Sequence, residues 1–352
     1  MKKAFSSIHI VMILGSLMLA LLVITEASSS LAAKSICSDA VYVTGRSLLG
    51  EYNKALYNRY GIFLLQAYED EANSKAKDLF DYDFDTSKTV VKLRLKSVDV
   101  DFSSYPALDV NALGKQIEKI SVVALKDKAL GRHNDNVKLS GHPTVPEEIL
   151  PSKLLGYKSR ESVLLSGGIS DISVGTALED EYILAMTSNS TQIFDDTYLS
   201  YETEYILFGY KTDEENLASM RRSIYAVRYA KDLASSGTLP TDPASLAIAL
   251  AAIALQAETE VDRIVSGESI DEMDYEAYLR LFLTLLDKEE KIARLMDIMQ
   301  INVSHIDGSG FGFSDYAYGF SMTANFEKRV LTSSFLGMDR RFKTIEEDFC
   351  YK

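Results

Sequence analysis

Residues 8–24 constrain this chain more than any other stretch. Only His9, Gly15 and Ser16 interrupt a run of large apolar residues and alanine. About 17 residues make a helix of roughly 25 Å, and adding 4–7 brings it to the full ~30 Å of a hydrocarbon core. Lys2 and Lys3 precede the run, which by the positive-inside rule keeps the short N-terminus cytoplasmic and the bulk of the chain outside. Two readings share this layout. One is a single-pass membrane anchor over 1–26. The other is a secretory signal peptide, for which Ser30-Leu31-Ala32 offers a small-x-small cleavage site.

The next segment favours the anchor. From Thr25 to Thr44 there is neither Pro nor Gly, and Leu31, Ile36, Ala40, Val41, Val43, Leu48, Leu49, Tyr52, Leu56 and Tyr60 keep a helical stripe. A cleavage region would turn loop-like. The expectation is therefore a stalk helix over 27–61, ended by Gly61.

Beyond it the patterns mix. Residues 90–102 alternate as a strand with a bulge or bend near Ser97, and 116–125 suggest a second strand. Prolines 143, 146 and 151 mark 133–151 as a connection. Thr212 with Glu215 forms a capping box ahead of a stripe at Leu217, Met220, Ile224 and Val227. Asp242-Pro243 opens another helix, whose stretch 246–255 is apolar on every side and reads as a core helix. A helical stretch covers 274–303, and Tyr316, Tyr318, Phe320, Met322, Ala324 and Phe326 alternate as a strand with one buried face. The fold class expected is α+β: a transmembrane helix continuing as a stalk, then a mixed extracytoplasmic head with a helical C-terminal half. Its regions are an α+β part over 62–211, a helical part over 212–307, and a strand region over 308–352 that packs back on the head.

Little in the chain points to chemistry. A net charge of −14 argues against nucleic acid, which needs clustered Lys and Arg. Cys37 and Cys350 form neither a CxxC pair nor a zinc set, leaving a disulfide between the chain ends or two unrelated thiols. His9, His133, His142 and His305 have no ligand spacing. Gly308-Ser309-Gly310-Phe311-Gly312 lacks Lys and follows a helix, the reverse of a phosphate loop, so it reads as a turn. Leu165-Ser166-Gly167-Gly168 has no Walker A partner. Acidic pairs such as Asp195-Asp196 and Glu346-Glu347 are expected by chance in so acidic a chain. The expectation is a non-enzyme with no cofactor, no metal and no catalytic residues.

Three blocks carry a resemblance: residues 47–63 (SLLGEYNKALYNRYGIF), 201–209 (YETEYILFG) with 212–216 (TDEEN), and 275–302 with Tyr278-Leu279-Arg280-Leu281 and Met296-Asp297, followed by Tyr318-Gly319-Phe320. Together they resemble a domain-of-unknown-function family of Gram-positive bacteria found beside tight-adherence (Tad/Flp) pilus genes and related to TadE-like pseudopilins. The resemblance implies a non-enzymatic, minor-pseudopilin-like surface component, with membrane lipid and other apparatus subunits as partners. The alternatives are a stand-alone membrane-anchored binding module or adhesin, and an extracytoplasmic hydrolase. One departure stands out. A prepilin site places Glu at the fifth position after Gly, whereas Gly15 is followed there by Ala20. The nearest acid, Glu26, closes the span, where it is a candidate assembly contact or a helix-end carboxylate at headgroup level.

Overall fold

The structure is a computed structural model that describes residues 2–86, 93–129, 145–163, 174–191, 199–307, 310–329 and 340–351. The chain is mixed helix and strand with a helical C-terminal half, and it divides into two compact units.

The first unit comprises residues 1–52, 64–106 and 317–351. Helix α1 (Lys2–Leu49) is one unbroken helix. Its residues 9–25 are exposed on every side, and it is long and apolar enough to cross a membrane. Further along, Ala33, Cys37, Val41, Thr44 and Leu48 recur at three- and four-residue spacing and are all buried. That stripe lies on strands β4 (Gly319–Arg329) and β5 (Arg340–Cys350) and on helix α3 (Glu69–Thr86). With β2 (Leu93–Asp101) the strands form an antiparallel sheet ordered β2-β4-β5, and β2 has a register shift between Leu95 and Ser97. The strand and bulge expected at 90–102 are thus present from Leu93; residues 90–92 lie outside the described residues. Phe320, Met322, Ala324 and Phe326 of β4 face the core, with Phe80 and Phe84 of α3 edge-on to Phe326. Burial of each such ring is worth about 1.5–3 kcal/mol.

The stalk expected over 27–61 is two helices. α1 stops where the Gly50 N–H folds back on the carbonyls of Arg46 and Ser47. A new helix, α2 (Lys54–Tyr60), starts after Asn53, whose side chain accepts from the Leu56 N–H at 2.9 Å. Gly61, at φ 69, ends only α2. A two-residue strand, β1 (Leu65–Gln66), follows in the first unit.

The second unit comprises 53–63 and 107–316. Its helices are α2, α4 (Val110–Ala129), α5 (Pro151–Leu154), α6 (Val174–Met186), α7 (Glu202–Phe208), α8 (Asp213–Ser235), α9 (Pro243–Val265), α10 (Tyr275–Leu285) and α11 (Lys288–Asp307); the short strand β3 (Tyr316–Ala317) straddles its end. The strand expected at 116–125 is instead the middle of α4. Val110, Leu113, Gln116, Ile117 and Ser121 make a buried helical face that outweighs the β-branched Ile120, Val122 and Val123. The helical stretch over 274–303 is divided between α10 and α11 around Leu286 and Asp287.

The apolar helix expected in the core is a correction. α9 packs against α8, and its buried residues are Ala257, Val261 and Ile264. The outer face of its first half is exposed, with Ile248 at 72% and Leu255 at 66%. Side chains apolar all round looked like full burial, but this unit covers α9 from one side only.

Candidate functional site

In the first unit, Glu26 lies two residues beyond Ile24, the last large side chain of the exposed apolar run. Its Oε1 pairs with Nζ of Lys328 at 2.9 Å, and both side chains are nearly buried. The structure therefore gives this candidate assembly residue a partner within its own chain.

The two cysteines are free thiols. Cys37 lies in the core, where burial pushes its pKa up to about 11, with Lys343 opposing. Cys350 belongs to the other end of the helix–sheet contact, since the next residue, Tyr351, donates its hydroxyl to the Leu49 carbonyl. Twelve residues of α1, roughly 18 Å, separate Cys37 from Leu49, while a disulfide needs Cα atoms within about 7 Å. The bridge joining the chain ends is not formed.

In the second unit the polar chemistry is internal. All seven residues of α7 are buried. Its sequence ETEYILF is a helix capped by Gly209 at φ 71. Glu202 accepts from the Ser188 N–H at 2.9 Å and from Asn302 Nδ2 at 2.6 Å. Burial lifts its carboxyl to about 7, against the pull of Arg59, Asn302 and Ser188. Glu204 accepts from the Ser190 N–H and the Tyr275 hydroxyl through Oε1, and burial raises its pKa too. Asp297 accepts from the Ser152 N–H, the Ser152 hydroxyl and, at 2.8 Å, the Tyr205 hydroxyl; burial lifts it to about 6.

Helix α11 supplies the matching groups. Residues 290–300 are buried without a break, so its row of Lys291, Arg294, Asp297 and Gln300, three apart and winding half-way round the helix, is polar yet without solvent. Each member finds a partner: Lys291 pairs with Asp180, and Arg294 donates to Glu290 and to the carbonyls of Ile206 and Lys158. Gln300 takes the Phe313 N–H and donates to the Ile149 carbonyl. Sequence reading missed this set because a regular polar row on a helix reads as a wet face. The available signal was Ile292, Ala293, Leu295, Met296, Ile298 and Met299 filling all the other directions. Carboxylates so enclosed and so supplied with donors hold helices in register.

A cleft of about 450 Å³ is lined by Pro146, Glu147, Leu150, Tyr205, Lys211 and Ile301. Tyr205 connects it to Asp297. Among the described residues no three His, Cys, Asp or Glu side chains come together in a way that could hold a metal ion. Glu346 and Glu347 sit on opposite faces of β5, so they form no facing pair. His133, His142, Leu165–Gly168, Asp195-Asp196, Gly308 and Ser309 lie outside the described residues.

The model of a family of unknown function (DUF5702) matches residues 135–265 and 245–328, more than half of the chain. The chain belongs to this family. The DUF5702 region takes in α5 to α11 and nearly all of β4, and with them the buried carboxylates; α1, β2 and β5 lie outside it. The match carries no link to Tad/Flp pili or to Gram-positive organisms. No curated protein and no solved structure matches the chain.

Proposed function

We propose that this DUF5702 chain is a non-enzymatic, minor-pseudopilin-like component of a Tad-type pilus or surface secretion apparatus of Gram-positive bacteria. In this reading it is held by a single pass of α1, with its N-terminus cytoplasmic and its bulk outside the cell. The observation that supports it is the two-part character of α1. A fully exposed apolar run leads, without a break in the helix, into a stripe buried on an antiparallel sheet. Such a helix offers one part to lipid and lateral neighbours and the other to its own head.

The topology is tested by Glu214→Cys, an exposed position in α8, in a Cys37→Ser, Cys350→Ser background. An impermeant maleimide should label intact protoplasts. Labelling only after lysis would put the bulk in the cytoplasm and remove the proposal. A labelled species in the medium, lacking its first ~32 residues, would establish a signal peptide instead. Given the right topology, co-purification with a secretion ATPase and TadC-like membrane proteins supports the apparatus role. Isolation without them favours a stand-alone binding module, a reading helped by the exposed apolar face of α9.

A further inference from the structure

A narrow cavity lies within the first unit, where the end of α1, the short strand β1 and the start of α3 meet. It measures about 100 Å³, and every residue lining it belongs to that unit and to the described residues. Leu48, Leu65, Phe102 and Phe320 form its walls, all buried, with the two rings edge-on at 5.8 Å. Ala72, on α3, leaves open the space that a longer side chain there would fill. Around the mouth stand the half-exposed side chains of Glu51, Glu71 and Lys75, with Tyr68 beside them.

Size and charge together select what enters. The volume is roughly the share of three water molecules in the liquid, but a bound water needs about two to four polar partners, which the wall side chains do not offer. It is also smaller than the ~150 Å³ cavity that a benzene ring occupies in a protein core, so a slender alkyl chain suits it and an aromatic ring does not. At the mouth the Lys75 ammonium is shared between Glu51 and Glu71, the latter at 2.9 Å. Two carboxylates have more acceptor sites than the donors of one ammonium can fill, so a second ammonium has somewhere to bind. The trio also carries one net negative charge. Glu69 and Asp70 in the first turn of α3 reinforce it, while Arg46 in the last turn of α1 is turned to the Tyr42 hydroxyl. A short alkyl chain ending in an ammonium matches both parts, and in a protein that is lysine; the wide planar fork of arginine does not match the slot. An amine so small gains too little to stay bound unaided, so a larger body must present it. We infer that this cavity is a socket for a lysine side chain projecting from a partner protein, its stem against Phe102 and Phe320 and its ammonium on Glu51 and Glu71.

The socket goes beyond the pilus reading and stands whether or not residues 9–25 lie in lipid, since α1 contributes only Leu48 to it. The test uses the full chain in phosphatidylcholine nanodiscs with methyl-labelled leucine, read by NMR. Leu48→Ile and Leu65→Ile assign the two signals. Nα-acetyl-lysine N-methylamide should shift both of them saturably. The norleucine counterpart, which lacks the ammonium, should bind about tenfold more weakly. Glu51→Gln with Glu71→Gln should weaken the lysine derivative by a similar factor. Ala72→Leu should abolish its binding, with thermal melting to show that the variant folds; the glutamine pair, at exposed positions, decides if it does not. No saturable shift at either leucine sinks the socket. Norleucine binding as tightly as lysine overturns the ammonium's part and leaves an apolar crevice. An arginine derivative that binds more tightly overturns the choice of lysine. Cadaverine binding more tightly than the lysine derivative would assign the cavity to a free diamine and remove the protein partner.

Discussion

The Tyr275 hydroxyl, at the start of α10, donates to Oε1 of Glu204 in α7 at 2.7 Å, and Oε2 of that carboxyl has no hydrogen-bond partner among the described residues. Tyr275 is therefore one of the few donors holding a fully buried carboxyl. Tyr275→Phe should cost about 1–3 kcal/mol in chemical denaturation, because the acceptor stays buried after its donor is gone. Adding Glu204→Gln should recover part of the loss. A Phe variant as stable as the parent would mean the bond contributes nothing net.

Stability should fall as pH rises through the neutral range. The Glu202 carboxyl moves from 4.5 to about 7 on folding, so the folded state holds a proton that the unfolded chain gives up. Its contribution is complete below pH 4.5 and is lost as pH climbs through 7. Asp297, lifted from 3.8 to about 6, acts in the same direction in a lower window. For Glu202 the effect is on the order of 3 kcal/mol. Thermal melts of Glu202→Gln should show a flatter slope between about pH 5 and 7.5; an unchanged slope would assign the dependence elsewhere.

Ile248→Asp and Leu255→Asp should each change stability by no more than about 0.5 kcal/mol, since both positions on α9 are exposed. Ile264→Asp, on the buried face of the same helix, should cost more than about 3 kcal/mol. Urea titrations of the three variants decide it, and equal damage at all three would put the outer face in a packed environment.

Gly45 sits where any Cβ would run into the ring of Phe349. Gly45→Val should destabilise by about 1–3 kcal/mol through forced separation of α1 from β5. Phe349→Ala in the same chain should soften that penalty, which a double-mutant cycle would measure.

Both thiols should titrate under denaturing conditions without reductant. In the folded protein Cys350, half-buried, should react with maleimide well before Cys37, which is enclosed and has a raised pKa. Mass spectrometry of labelled protein before and after unfolding gives the order. A mass showing a bridged pair would contradict the helix–sheet register.

Several elements were legible because their signals are local. The Thr212 cap accepts from the Glu215 N–H, and Asp242 caps α9 through the Ser245 N–H with Pro243 at the first helical position. The bulge by Ser97 and the buried face of β4 followed from alternation alone. What escaped depended on partners distant in sequence. Residues 116–125 carry β-branched side chains, yet the rest of the second unit presents them with a helical seat. Residues 202–208 are buried all round and so have no period to read. The row from Lys291 to Gln300 is wet or dry according to what covers it, and Asp180, Ile206, Ser152 and Phe313 come from four separate places in the chain. The candidate residues Glu26, Cys37 and Cys350 were visible as types, but their neighbours were set by where α1 meets the sheet.

The continuity of α1 has a mechanical consequence. No proline interrupts the helix between Ile24 and the first buried position, Ala33, and sharp bends in helices need such a cause. With the apolar run in a bilayer, the sheet is bolted to a lever whose short arm is the lipid-facing segment. From Glu26 to Leu49 the lever extends about 34 Å, so tilting the apolar run by about 10° carries its far end sideways by about 6 Å. A tug from a neighbouring helix within the lipid would thus arrive at the head as rotation.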